Sequence, residues 1–126
     1  MLAELRARAV YGWARSRAGW ARGWEPGRQR SGYTKLLLLE GRRFDLYLLR
    51  FPPGASVPAH RDPLVGAGHL RANLIVVTPE RGGEFECEHV IVDWPRFKLF
   101  RPDLVTHAVR PIEAGTRWVV SLGLAL

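Results

Sequence analysis

A single cysteine, Cys87, in 126 residues leaves no way to form an internal disulfide or a cysteine-bound zinc cluster. Lysine is scarce as well, with two residues against seventeen arginines. No apolar run is longer than Leu36 to Leu39, far short of the ~20 residues that cross a bilayer. An apolar signal core is also missing, because Arg6, Arg8, Arg15, Arg17 and Arg22 interrupt the start of the chain. There is no internal repeat and no low-complexity tract. Together these absences predict a cytoplasmic protein without a membrane span.

What is present is an ordinary globular balance, 47% apolar and 25% charged. The length predicts a single domain over 1–126. The net charge of +7 is unevenly spread. Residues 1–30 carry seven arginines against Glu4 and Glu25, while the rest carries twelve basic and ten acidic side chains. Charge gathered on an extension, away from any candidate site, argues against nucleic acid as the partner.

Residues 2–24 read as a helix within a helical extension over 1–30. Leu2, Leu5, Ala9, Trp13, Ser16, Trp20 and Trp24 recur at steps of three and four and share one face. Gly12 and Gly19 each weaken a helix by ~1 kcal/mol, enough for a kink. The tryptophan face predicts packing against the rest of the protein, and it also suits a homodimer contact. Residues 25–32 form a connector rich in turn formers.

From residue 33 the period changes. The stretches 33–40, 43–51, 70–78, 84–93, 96–100, 104–112 and 117–126 are strand-like and bounded by Gly, Pro and Asp. About eight short strands predict an antiparallel barrel or sandwich over 33–126. The 70–78 strand is apolar on both faces beyond Asn73, which predicts burial on both sides.

Chemistry concentrates in two stretches. In "VPAHRDP", His60 and Asp62 lie at i and i+2, one face of a strand. In "VTHAV", His107 lies on a later strand that a barrel can bring alongside. Two imidazoles and a carboxylate hold one face of an octahedral Fe(II) and leave three positions open. Arg117 follows ten residues after His107, across the turn "IEAG". A buried guanidinium needs an anionic partner, and its planar fork suits the far carboxylate of a dicarboxylate co-substrate.

His60-x-Asp62, His107 and Arg117 in that order, with "GGEF" at 82–85 between the halves, resemble the Fe(II)/2-oxoglutarate-dependent dioxygenases. Within them the chain looks most like the aspartyl/asparaginyl hydroxylase-like and bacterial proline hydroxylase group. The resemblance covers about residues 44–124. It implies a mainly β fold, a double-stranded β-helix (jelly-roll or cupin-like barrel) with a short N-terminal helical segment. It implies His60, Asp62 and His107 as metal ligands and catalytic residues. Fe(II) is the implied metal, 2-oxoglutarate the co-substrate and dioxygen the oxidant. Arg117 would hold the distal carboxylate, and Arg71 stands where the group binds the metal-proximal one. The acidic ligand Asp62 favours hydroxylation over halogenation.

Alternation on 70–78 puts Arg71 and Asn73 on one inward face, at the rim of a site. Ser121 shares a face with Arg117 and is a further candidate for the co-substrate, as is the Tyr47 phenol. His69 reads as an exposed residue at the start of a strand, and His89 as a structural residue facing the interior with Phe85 and Cys87. The function expected is hydroxylation of an amino acid, a peptide or another small metabolite. Two readings compete with it: a cupin-like metal enzyme that does not use 2-oxoglutarate, and a non-enzymatic module binding through its Arg/Trp-rich extension.

Overall fold

The computed structural model describes residues 23–126. The expected helix over 2–24 therefore lies outside the described residues except at its end. There Trp24 is not helical: β1 (Trp24–Pro26) pairs antiparallel with β2 (Thr34–Glu40). The strand is stabilised by its ladder and by an edge contact between the Trp24 and Trp118 rings at 6.0 Å. The connector is shorter than expected and makes a tight turn, closed by Gly27 N–H donating to the Tyr33 carbonyl at 2.9 Å. A Cβ at position 27 would collide with the Tyr33 ring, so only glycine lets that ring fold back over the turn.

After β2 the chain forms β3 (Phe44–Phe51), β4 (Val57–His60), β5 (His69–Val77), β6 (Arg81–Gly82), β7 (Phe85–Cys87) and β8 (Val92–Trp94). It ends with β9 (Phe97–Phe100), β10 (His107–Val109), β11 (Ile112–Ala114) and β12 (Arg117–Ala125). A seven-stranded sheet has the order β1-β2-β3-β12-β5-β9-β8. A three-stranded sheet, β4-β10-β7, and a two-stranded one, β11-β6, complete the fold. The last strand thus sits between β3 and β5, a crossover that antiparallel jelly rolls share. No helix among the described residues is long and apolar enough to cross a membrane.

The core takes residues from all three sheets. Phe51 and Val119 come from the large sheet, Val109 from the three-stranded one and Ile112 from the two-stranded one. Strand β12 shows why: Arg117, Val119, Ser121 and Gly123 are buried and the residues between them are not. Apolar Val119 fills the middle, and the polar members fall at either side of it.

Two expected strands divide. In 84–93 only Phe85–Cys87 pairs in the three-stranded sheet, and β8 joins the large one, so the chain must leave the ladder between them. His89 falls in that crossing and is exposed, not turned inward with Phe85 and Cys87. In 104–112, Pro111 offers no backbone donor, and β10 and β11 pair with different partners. The expectation that 70–78 is buried on both sides is corrected. Leu74 and Val76 are each 47% exposed, because they sit on the outward face of the large sheet.

Candidate metal centre

Register brings the ligand candidates together. Strands β4 and β10 are antiparallel neighbours with His60 directly opposite His107. Directly opposed residues point to the same side of a sheet, so the two imidazoles meet with centroids 4.4 Å apart. Asp62 lies just beyond the end of β4, where its N–H donates to the Pro102 carbonyl at 2.8 Å. That bond ties the segment after His60 to the turn before His107. Asp62 Oδ1 then stands 3.2 Å from His60 Nε2 and 3.7 Å from His107 Nε2. One ligand atom from each of the three lies within 4.8 Å of the others.

The tautomers suit a cation. His60 Nδ1 is 2.7 Å from the Pro58 carbonyl, and His107 Nδ1 is 3.1 Å from the Val105 carbonyl. A carbonyl only accepts, so each Nδ1 carries the proton and each Nε2 presents a lone pair. Burial holds the His107 pKa below its ordinary value, and the neighbouring His60 adds to that, favouring neutral imidazole. The donor set fits a divalent ion such as Fe(II): two neutral nitrogens, one carboxylate and no thiolate.

The three residues line a cavity of about 150 Å³. Its apolar wall includes Leu49, Val57, Phe85, Phe100 and Val109. Its polar wall comes from the large sheet. Arg71 on β5 and Asp45 on β3 flank Gly123 on β12, one on each side. A side chain at 123 would lie 2.7 Å from the guanidinium and 2.8 Å from the carboxylate. The bare glycine lets the pair close across it, Arg71 Nη1 to Asp45 Oδ1 at 2.8 Å. Arg71 also donates to Ser121 Oγ at 3.2 Å, and Ser121 donates to Asn73 Oδ1 at 2.6 Å. Arg71, Asn73, Ser121 and Tyr47 all line the same cavity as His60, Asp62 and His107. Burial raises the Tyr33 and Tyr47 pKa values, so both phenols stay protonated donors at neutral pH.

Arg117 is brought elsewhere. It is 3% exposed and points inward, but it lines a groove beyond the closed middle of the barrel, with Gly83 and Lys98. Phe85 lines both spaces and stands between them. The guanidinium carbon lies 4.9 Å from the Phe51 ring centroid, and no carboxylate among the described residues pairs with Arg117. Desolvation pushes its pKa down to about 10.

The sequence reading missed four residues. His69, read as exposed, is half-buried with Nε2 3.4 Å from Asp62 Oδ2. It stands two residues before Arg71 on the same face, so alternation would have found it. Asp45, two before Tyr47, was equally accessible to that argument. Gln29 and Tyr33 were not, because only the folded turn carries them over the cavity. The Gln29 amide donates to His60 Nε2 at 2.9 Å, and Tyr33 donates to Gln29 Oε1 at 2.8 Å.

No family model matches the chain, and no curated protein matches it by sequence. Solved structures do resemble it. KdgF from Halomonas sp. aligns with a TM-score of 0.55 at 14% identity, over 86% of this chain and 91% of that one. A protein with a double-stranded β-helix domain from Klebsiella pneumoniae aligns with a TM-score of 0.53 at 13% identity, over 82% and 84%. A chain in the complex of Rhodobacter sphaeroides SigE with the anti-sigma ChrR aligns with a TM-score of 0.49 at 21% identity. That match covers 80% of this chain, which spans about half (47%) of the other. The mainly β architecture and the first two likenesses give the fold as a cupin-like double-stranded β-helix.

Proposed function

We propose that this protein is a small Fe(II)- and 2-oxoglutarate-dependent dioxygenase, hydroxylating an unactivated C–H bond of an amino acid, a peptide or another small metabolite. The observation that carries the reading is the convergence of His60, Asp62 and His107, with one ligand atom of each within 4.8 Å of the others and both Nδ1 atoms held by carbonyls. When bound, the iron with its co-substrate supplies the oxidation, in which 2-oxoglutarate and dioxygen become succinate and carbon dioxide and C–H becomes C–OH. The side chains do the rest. His60, Asp62 and His107 would hold the metal. Phe85, Phe100 and Val109 give the cavity an apolar wall. Arg71, held by Asp45 and Ser121, presents a fixed cation to a carboxylate bound near the metal.

The far carboxylate of 2-oxoglutarate is assigned to Arg117. The support is energetic: Arg117 is buried with no acidic partner among the described residues, and such a charge is unfavourable unless an anion arrives. One observation favours a second reading, a cupin-like metal enzyme that does not use 2-oxoglutarate. Arg117 and the metal cavity lie on opposite sides of Phe85.

Titrating 2-oxoglutarate into the Fe(II)-loaded protein under nitrogen separates the two. The first reading expects a metal-to-ligand charge-transfer band that saturates at one equivalent per iron. Tight iron binding with no band would leave the second reading standing alone.

A further inference from the structure

A second cavity, of about 340 Å³, adjoins the first, and Arg28, Asp62 and Arg71 line both. Its remaining walls are the β2–β3 turn with Arg42 and Arg43, the segment around Val65, and the end of β12 at Leu124. Whatever occupies it therefore lies beside the carboxylate assigned to the metal.

The charges in this cavity are unbalanced. Among the described residues, four guanidiniums (Arg28, Arg42, Arg43 and Arg71) face three carboxylates (Glu40, Asp45 and Asp62). The carboxylates are engaged: Asp45 by Arg71, Asp62 by His69, whose Nε2 lies 3.4 Å from Oδ2, and Glu40 by a contact of its own. Arg28, Arg42 and Arg43 have no acidic partner among the described residues, and all three are exposed at the rim. A divalent ion on Asp62 would increase the positive surplus. Walls of low polarizability concentrate such a field at the cavity mouth. The mouth is also apolar on one side, where Val65 is 74% exposed.

We propose that this second cavity is the substrate site and that the substrate is a small organic anion. Its carboxylate or phosphate sits on Arg42 and Arg43, its apolar stem lies along Val65 and Leu124, and the carbon to be oxidised points toward Asp62. The inference rests on the metal reading for its chemistry but not for its binding. Guanidinium forks recognise both anions through paired hydrogen bonds, so the rim specifies the charge and the cavity length specifies the stem.

The test is calorimetric titration of the full chain with three probes that share a five-carbon stem: hexanoate, pentyl phosphate and hexanamide. At least one anion is expected to bind ten or more times tighter than the neutral amide. Whichever anion wins identifies the headgroup. The double substitution Arg42→Ala/Arg43→Ala, at exposed positions that do not endanger the fold, is expected to abolish the preference. Val65→Asp, which places a like charge at the rim, is expected to weaken anion binding without touching either arginine. Equal affinity for hexanamide, or a preference that survives the double substitution, overturns the proposal. An anion preference in a protein that forms no charge-transfer band would retain this site and reject 2-oxoglutarate.

Discussion

At the scale of the residue, the centre depends on where two protons sit. Each imidazole gives its Nδ1 proton to a carbonyl two residues earlier, at Pro58 and Val105. That places the lone pairs toward Asp62 before any cation arrives. Replacing His60, Asp62 or His107 by alanine is expected to weaken divalent-metal binding at least 100-fold, read by competition with a chromophoric chelator. The far-ultraviolet circular dichroism should stay unchanged, since none of the three fills the apolar core. Gln29 acts in the opposite sense. Its amide occupies the His60 lone pair, so a metal must displace it. A hydrogen bond of this kind contributes about 1 kcal/mol net, roughly a fivefold change in an equilibrium constant. Gln29→Ala is therefore expected to tighten metal binding by about fivefold in the same competition assay.

At the scale of the element, the sequence shows which residues can share a face but not which strands become neighbours. Alternation alone puts Arg71 beside Asn73, and His60 beside Asp62. Placing Gly123 between Asp45 and Arg71 requires the crossover that sets β12 between β3 and β5. Likewise, the outward face of β5 resembles a buried one in the sequence because Leu74 and Val76 are apolar whichever way they point. The turn between β9 and β10 shows how an element supports the site from outside it. Arg101 grips Asp103 with two bonds, at 3.0 and 2.7 Å, and the Asp103 side chain is fully buried. Arg101 holds the Asp103 pKa down at about 2. A carboxylate depressed on folding stabilises the protein above its unfolded pKa, and that contribution fades as pH falls through the folded value. Asp103→Asn is expected to cost about 1–3 kcal/mol at neutral pH. In thermal melts from pH 6 downward, the gap between wild type and variant should hold to about pH 4 and close toward pH 2.

At the scale of the whole molecule, the barrel has two polar ends and a closed apolar middle. One end holds the imidazoles, Asp62 and Arg71; the other holds Arg117 behind Phe51 and Phe85. A charge buried at the second end is a cost to the entire fold. Its pKa is pushed down to about 10, so at neutral pH the group is charged and the cost is fully present. The size of that depression corresponds to something on the order of 3 kcal/mol. Methionine at this position would keep the contact with Phe51 and remove the charge. Arg117→Met is therefore expected to raise the melting temperature of the free protein by several degrees. A ligand that binds only the folded state raises the melting point further as its concentration grows. If 2-oxoglutarate seats its far carboxylate on Arg117, wild type should gain several degrees at saturating co-substrate with iron under nitrogen, and Arg117→Met should gain almost nothing. A variant that starts higher and still gains as much as wild type would show that the guanidinium is structural and that the co-substrate, if bound, is held at the Arg71 end alone.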